Sequence, residues 1–159
     1  MQTKSMATGA KLSIDIQFAS PAIKTALENQ VSSALIKKWV KSAAKKAGAL
    51  TLRFVNKAEG RTLNLAFRKK DYATNVLTFP YEHSKSTVVA DIIFCLPIIQ
   101  KEAKDQEKMM KAHLAHLIIH GCLHAQGYDH ETAKDAKVME SLETKILKEL
   151  GFSNPYLTQ

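Results

Sequence analysis

The alternation of polar and apolar positions changes period several times along the chain, and each change marks an element. Leu12, Ile14, Ile16 and Phe18 alternate with Lys11, Ser13, Asp15 and Gln17. That period of two predicts a strand with one buried face, and Ser20-Pro21 punctuates its end. From about residue 28 to 47, Leu35, Ile36, Trp39, Val40, Ala43 and Ala47 recur at helical spacing, and Gly48 is expected to stop the helix. Lys37, Lys38, Lys41 and Lys45 decorate its other side and read as a solvated face. Residues 50–56 predict a second strand, 58–68 a short helix, and 76–80 a short strand closed by Pro80. The apolar run of 87–95 is nearly continuous, as in a strand covered on both faces. Pro97 opens a short helix. A long helix is expected over 106–126, and a last one over 132–150, ended by Gly151. Strands and helices mix without a strict βαβ rhythm. The expected class is therefore α+β, one small sheet of about four strands with helices packed against it.

The long helix carries the chemistry. At about 100° per residue, His113, His116, His120 and His124 fall within an arc of roughly 80°. Met110, Leu114, Leu117, Ile118, Ile119 and Leu123 fill much of the remaining circumference. This is the pattern of a central, buried helix, which fixes imidazole rotamers and lowers the local dielectric. His120 and His124, four residues apart, share one face. Gly127 can take positive φ, end the helix and turn the chain back, and His130 follows three residues later. Three neutral imidazoles on a divalent ion leave one position open, whereas structural zinc is usually closed by four ligands and favours Cys. His120, His124 and His130 are thus the candidate metal ligands. His116 is expected to be a hydrogen-bonded core residue or a support for a ligand, with a fourth-ligand role as the alternative. His113 is expected to be structural. The spacing also matches the extended zinc-protease motif, but where those enzymes carry their general-base Glu this chain has Gly121. That departure counts against proteolysis.

Composition adds one fact. The 159-residue chain has 23 Lys and Arg against 15 Asp and Glu, a formal charge of +8. The excess favours a polyanionic partner, nucleic acid or an acidic membrane surface. Cys95 and Cys122 each fall in an apolar run and suit a reducing compartment. Cys122, two positions from both His120 and His124, should point away from them. The first ten residues have no apolar core of a secretory signal. The most apolar stretch, 88–99, contains Asp91 and Pro97 and is too short to span a bilayer. A cytoplasmic protein is the expectation.

The segment His120-Gly-Cys-Leu-His124-Ala-Gln-Gly-Tyr-Asp-His130 resembles the signature of the YbeY family of bacterial metal-dependent endoribonucleases, the 16S ribosomal RNA maturation factors. Leu63-Asn64-x-x-Phe67-Arg68-x-Lys70-Asp71 resembles the family's Leu-Asn-x-x-(aromatic)-Arg-x-Lys-Asp element. Thr74-Asn75-Val76-Leu77-Thr78-Phe79-Pro80 resembles its Thr-(Asp/Asn)-Val-Leu-Ser-Phe-Pro strand, and Ala90-Asp91-Ile92 its Gly-Asp-Ile. These motifs cover most of residues 52–151 in order. Thr78 for Ser, Ala90 for Gly and Ala125-Gln126 for an apolar pair are the departures, and none touches a ligand.

The resemblance implies one Zn2+ per chain on the three histidines. It implies a single-strand-specific endoribonuclease of 16S rRNA 3′-end maturation and ribosome quality control, with the rRNA precursor and the ribosome or 30S subunit proteins as partners. It also makes Arg68 the candidate catalytic residue, since a guanidinium can stabilise phosphoryl charge by bidentate hydrogen bonding. Arg53, Arg61, Lys69 and Lys70 are further candidates for RNA contact, with Tyr72 available for stacking. Asp129 could orient an imidazole or cap the last helix, Asp91 could support a histidine, and Asp71 and Asn75 suit turns as readily as a site. The domain boundaries read as a flexible N-terminal tail over 1–10, a single metal-hydrolase domain over 11–152 and a C-terminal tail over 153–159. Alternatives are a metzincin-like hydrolase of another substrate class and a non-catalytic ribosome-associated factor with structural zinc.

Overall fold

The computed structural model describes residues 11–157; the expected N-terminal tail lies outside them. Ten elements follow in order: β1 (Leu12–Phe18), α1 (Pro21–Glu28), α2 (Ser33–Ala43), β2 (Ala47–Val55), α3 (Lys57–Arg68), β3 (Val76–His83), β4 (Thr87–Cys95), α4 (Leu96–Asp105), α5 (Met110–Ala125) and α6 (Ala133–Glu149). The four strands form one sheet in the order β1-β2-β4-β3. β1, β2 and β4 run parallel, and β3 pairs antiparallel with β4 as an edge strand. The α+β class and the four-stranded sheet match the expectation.

Helices cover both faces. Leu50, Leu52 and Phe54 of β2 join Val88, Ala90, Ile92 and Phe94 of β4 in the main core, against Leu114, Ile118, Cys122 and other residues of α5. Phe18, Phe54 and Phe94, partners across three strands, stack with centroids 6.1 and 5.1 Å apart. On the opposite face Val55, Leu77, Ile93 and Cys95 form a second cluster with Leu63 of α3 and Ile98 of α4. Ile92 to Cys95 are therefore buried in succession, the cause of the unbroken apolar run.

Four boundaries differ from the expectation. Where one helix was foreseen over 28–47, two shorter helices stand, over 21–28 and 33–43, the earlier one lying before the foreseen range. Ser20 caps the first, accepting from the Ile23 amide at 3.2 Å, with Pro21 in its first turn, where a missing N–H costs nothing. Ser32 caps the second, accepting from the Leu35 amide at 3.1 Å. The second stops at Ala43, because Ala47 and Gly48 belong to β2, where Gly48 pairs with both Leu12 and Val88. Gly48 has φ +131°, and a Cβ there would stand 1.9 Å from the Val88 carbonyl oxygen, so the glycine serves strand contact and not a helix stop. The long helix begins at Met110 after a break in which Glu107 takes φ +54°. β3 continues past Pro80 to His83 through an irregularity, which an edge strand tolerates.

At the far end, the described part of the expected C-terminal tail folds back. Lys108 donates to the Pro155 carbonyl at 2.8 Å, and Tyr156 reaches Glu143 and His116. No helix among the described residues is long and apolar enough to cross a membrane.

Candidate metal centre

The triad is built on α5 and the turn that ends it. Ten residues of α5 are buried, so the helix has little freedom to rotate. Gly121 lets it lie close to the sheet: a Cβ there would stand 2.8 Å from Ile92 Cγ2 and 3.4 Å from Val76 Cγ2. Packing thus leaves no room for the glutamate that zinc proteases carry at this position. Gly127, at φ +100°, turns the chain, and the Asp129 carboxylate accepts from the His130 amide at 2.7 Å. The His120, His124 and His130 rings come together with centroids 6.3 Å (120–124), 5.3 Å (120–130) and 5.8 Å (124–130) apart.

Hydrogen bonds decide which ring nitrogens are free. His120 donates from Nδ1 to Glu143 Oε2 at 2.6 Å, and His124 donates from Nδ1 to the Tyr128 carbonyl at 2.8 Å. A carbonyl can only accept, and so can an ionised carboxylate. Both imidazoles therefore keep their Nδ1 proton and present a bare Nε2. A carboxylate or backbone carbonyl on the distal nitrogen is the usual support of a metal-ligating histidine. His116 is the opposite case. It donates from Nε2 to Glu143 Oε1 at 2.8 Å, and its Nδ1 is buried without a partner. Its Nε2 is spent on Glu143, the carboxylate that it shares with His120.

Glu143 is fully buried on α6. Burial alone would raise its pKa, but hydrogen bonds from His116, His120 and the Tyr156 hydroxyl outweigh that and hold it down at about 2. Tyr156 is pushed up in turn, by burial and by facing this carboxylate. His113, also buried, donates from Nε2 to Glu102 at 2.9 Å. Burial lowers its pKa, and Glu102 offsets part of the effect. Glu102 further accepts from Asn75 Nδ2 at 3.2 Å, tying the loop before β3 to α5.

A cleft of about 690 Å³ joins this centre to the end of α3 and the free edge of β3. Its walls include His120, His124, His130, Arg68, Phe67, Phe79, Asn75 and Asp129. Arg68 stands on the last turn of α3, before Lys69 in the left-handed conformation at φ +60°. Asn64, buried, fixes the loop that follows by donating to the Tyr72 carbonyl at 2.7 Å. The other candidate arginines are occupied: Arg53 pairs with Glu59 and Arg61 with Asp71, both at 2.7 Å. Among the described residues the exposed cations on the loop at this cleft that make no ion pair are Arg68, Lys69 and Lys70.

Several expected roles move. Asp91 accepts from the Tyr81 hydroxyl at 2.9 Å and supports no histidine. Asp129 is not the cap of α6; Thr132 is, accepting from the Asp135 amide at 3.0 Å. Cys122 faces the core, where burial pushes its pKa up to about 12. The sequence reading missed Glu143, although an acid among Met139, Ile146 and Leu147 on the apolar stripe of α6 was a visible signal. It also missed Glu102 and Tyr156, which no periodicity singles out.

The triad is gathered but open: among the described residues no three His, Cys, Asp or Glu side chains stand closed around a common point as a bound ion needs. Imidazole ligands set tetrahedrally on a zinc-like ion would have centroids roughly 5.2 Å apart, given metal–nitrogen bonds of about 2.0–2.1 Å. The 120–130 pair already has that spacing, and His124 is the ring that must draw in. The donor set, with two Nε2 lone pairs directed by their Nδ1 partners, fits such an ion.

The family model described as endoribonuclease YbeY matches residues 14–151. A protein of Polynucleobacter asymbioticus named endoribonuclease YbeY is 69% identical over 153 residues, covering 96% of this chain and 99% of its own. One of Cupriavidus metallidurans with the same name is 49% identical, covering 97% and 78%. A solution structure from Thermotoga maritima superposes with a TM-score of 0.52 at 24% identity, over 91% of this chain and 99% of that one, and supports the fold. With the matched stretch running from β1 to the end of α6 and containing every residue of the triad, the chain belongs to the endoribonuclease YbeY family.

Proposed function

We propose that this protein is a zinc-dependent endoribonuclease that cuts single-stranded RNA in 16S rRNA 3′-end maturation and ribosome quality control, working in the cytoplasm on the ribosome or its 30S subunit. The observation that carries the reading is one cleft uniting three histidines, two of them with Nδ1 restrained and Nε2 bare, with an unpaired Arg68. His120, His124 and His130 would hold the ion. When bound, it supplies Lewis acidity towards a phosphoryl oxygen and a water made acidic near neutral pH.

The chain's own residues do the rest. Glu143 and the Tyr128 carbonyl hold the imidazoles of His120 and His124 in one tautomer, so each keeps a bare Nε2 for the ion. Arg68 offers a planar guanidinium to the phosphodiester, whose charge grows in the transition state. Lys69 and Lys70 add sequence-independent attraction for the backbone, which predicts salt-sensitive binding. A peptidase reading loses support at Gly121, where the absent general base is a consequence of helix–sheet packing.

The test is metal content by mass spectrometry, paired with cleavage of a 16S precursor before and after chelation. Stoichiometric zinc and cleavage abolished by chelation are expected. A metal-free protein that still cuts RNA would overturn the reading, as would zinc-loaded protein that cuts casein and spares RNA.

A further inference from the structure

Phe67 is 65% exposed, more than folding explains. Its neighbours in the family-like motif have visible duties: Leu63 packs in the second cluster, Asn64 pins the loop and Arg68 faces the cleft. Phe67 has none in the core. Its ring meets Phe79 of β3 edge-to-face, with centroids 4.9 Å apart and planes at 69°. Both rings line the cleft that holds the triad. Phe79, only partly buried, is anchored in the cluster of Leu77 and Ile93, so it is a firm buttress. The arrangement leaves a flat aromatic surface in water at the rim of a basic loop.

Such a surface selects its ligand by chemistry. An aromatic face suits a planar π system, and Arg68, Lys69 and Lys70 suit polyanions. A nucleobase on a phosphodiester chain is both. Phe67 and Arg68 line the same cleft, so a nucleotide whose phosphate meets the guanidinium can bring its base to the ring. We propose that Phe67, backed by Phe79, is a stacking site for one unpaired nucleobase of the RNA strand entering the histidine cleft.

This inference rests on the RNA-cleaving reading above and gives strand selectivity a physical cause. In a duplex both faces of each base are covered by neighbours, so only an unstacked base can pack on Phe67. Every base has a π face, so the site prefers single strands while discriminating little among bases.

The experiment uses the full chain and a short single-stranded RNA carrying the fluorescent base 2-aminopurine, moved one position at a time. Binding is read by anisotropy and stacking by fluorescence quenching, neither of which requires cleavage; cleavage of the same oligonucleotides is measured in parallel. The parent protein and Phe67→Trp should quench 2-aminopurine at one position. Phe67→Ala and Phe67→Leu should lose that quenching and weaken binding about 5- to 150-fold, the range that removal of one base–aromatic stack produces. Thermal melts check that the variants fold; the exposure of Phe67 predicts that they do. Equal affinity and quenching in Phe67→Ala would overturn the stacking site, as would failure of the parent to bind RNA at all. RNA bound and quenched but never cut would sink the nuclease reading and leave the stacking site standing.

Discussion

Replacing Glu143 with glutamine tests whether the buried carboxylate sets up the metal centre. The change keeps the shape and removes the charge. In the parent, Oε1 accepts from His116 and Tyr156, and Oε2 accepts from His120. A glutamine offers one carbonyl oxygen and an NH2 that can only donate. If the carbonyl serves His116 and Tyr156, the NH2 confronts His120 Nδ1. His120 then does best by moving its proton to Nε2, which removes the lone pair aimed at the metal. Hydrogen bonds from His116, His120 and Tyr156 hold the carboxyl down at about 2, so the site favours a charged acceptor, which glutamine is not. Loss of a partner behind a metal ligand lowers affinity about 10- to 100-fold, or about 1.4 to 2.7 kcal/mol. In the metal-free protein at least one buried donor is stranded, costing about 1 to 3 kcal/mol. Competition with a chelator measures zinc affinity, and long-range nitrogen–proton correlation spectra report the His120 tautomer. Unchanged zinc affinity together with an intact Nδ1 proton on His120 would refute this reasoning.

Other outcomes follow from the same geometry. Arg68→Glu should leave zinc content unchanged and strongly reduce RNA cleavage; equal cleavage by that variant removes Arg68 from the mechanism. Gly121→Ala places a methyl 2.8 Å from Ile92 Cγ2. It should cost about 1 to 3 kcal/mol, a fall in Tm of roughly 2 to 12 °C, and an unchanged melt would show that α5 can move off the sheet freely. Cys122 supplies an alkaline limb. Its thiol stays protonated to about 12 when folded against 9.0 otherwise, so its contribution to stability is constant well below pH 9 and falls as the unfolded chain alone ionises above it. The decline should approach about 1.4 kcal/mol per pH unit more than in Cys122→Ala between about pH 10 and 11, as read from urea titrations.

How much of this was legible depends on the range of the interaction. The β1 strand and the glycine stops at 127 and 151 are local matters of period and backbone freedom, and the chain states them directly. The helix foreseen through Ala47 failed because Ala47 and Gly48 are claimed by strands that come from residues 12 and 88, beyond any local window. Arg53 and Arg61 looked as available as Arg68 until folding paired them with Glu59 and Asp71. Asp91 sat in a suggestive motif, but its strand register delivered it to Tyr81.

The sequence by itself determined the histidine spacing, the turn at Gly127 and the family, because those rest on covalent order and on helix geometry that repeats every few residues. Only the tertiary structure decided that Glu143, 23 positions from His120, holds its ring and leaves Nε2 bare. It alone brought Arg68 and Phe67 to the same cleft, since that requires α3, β3 and α5 to pack around one sheet, and packing depends on shape across the whole core.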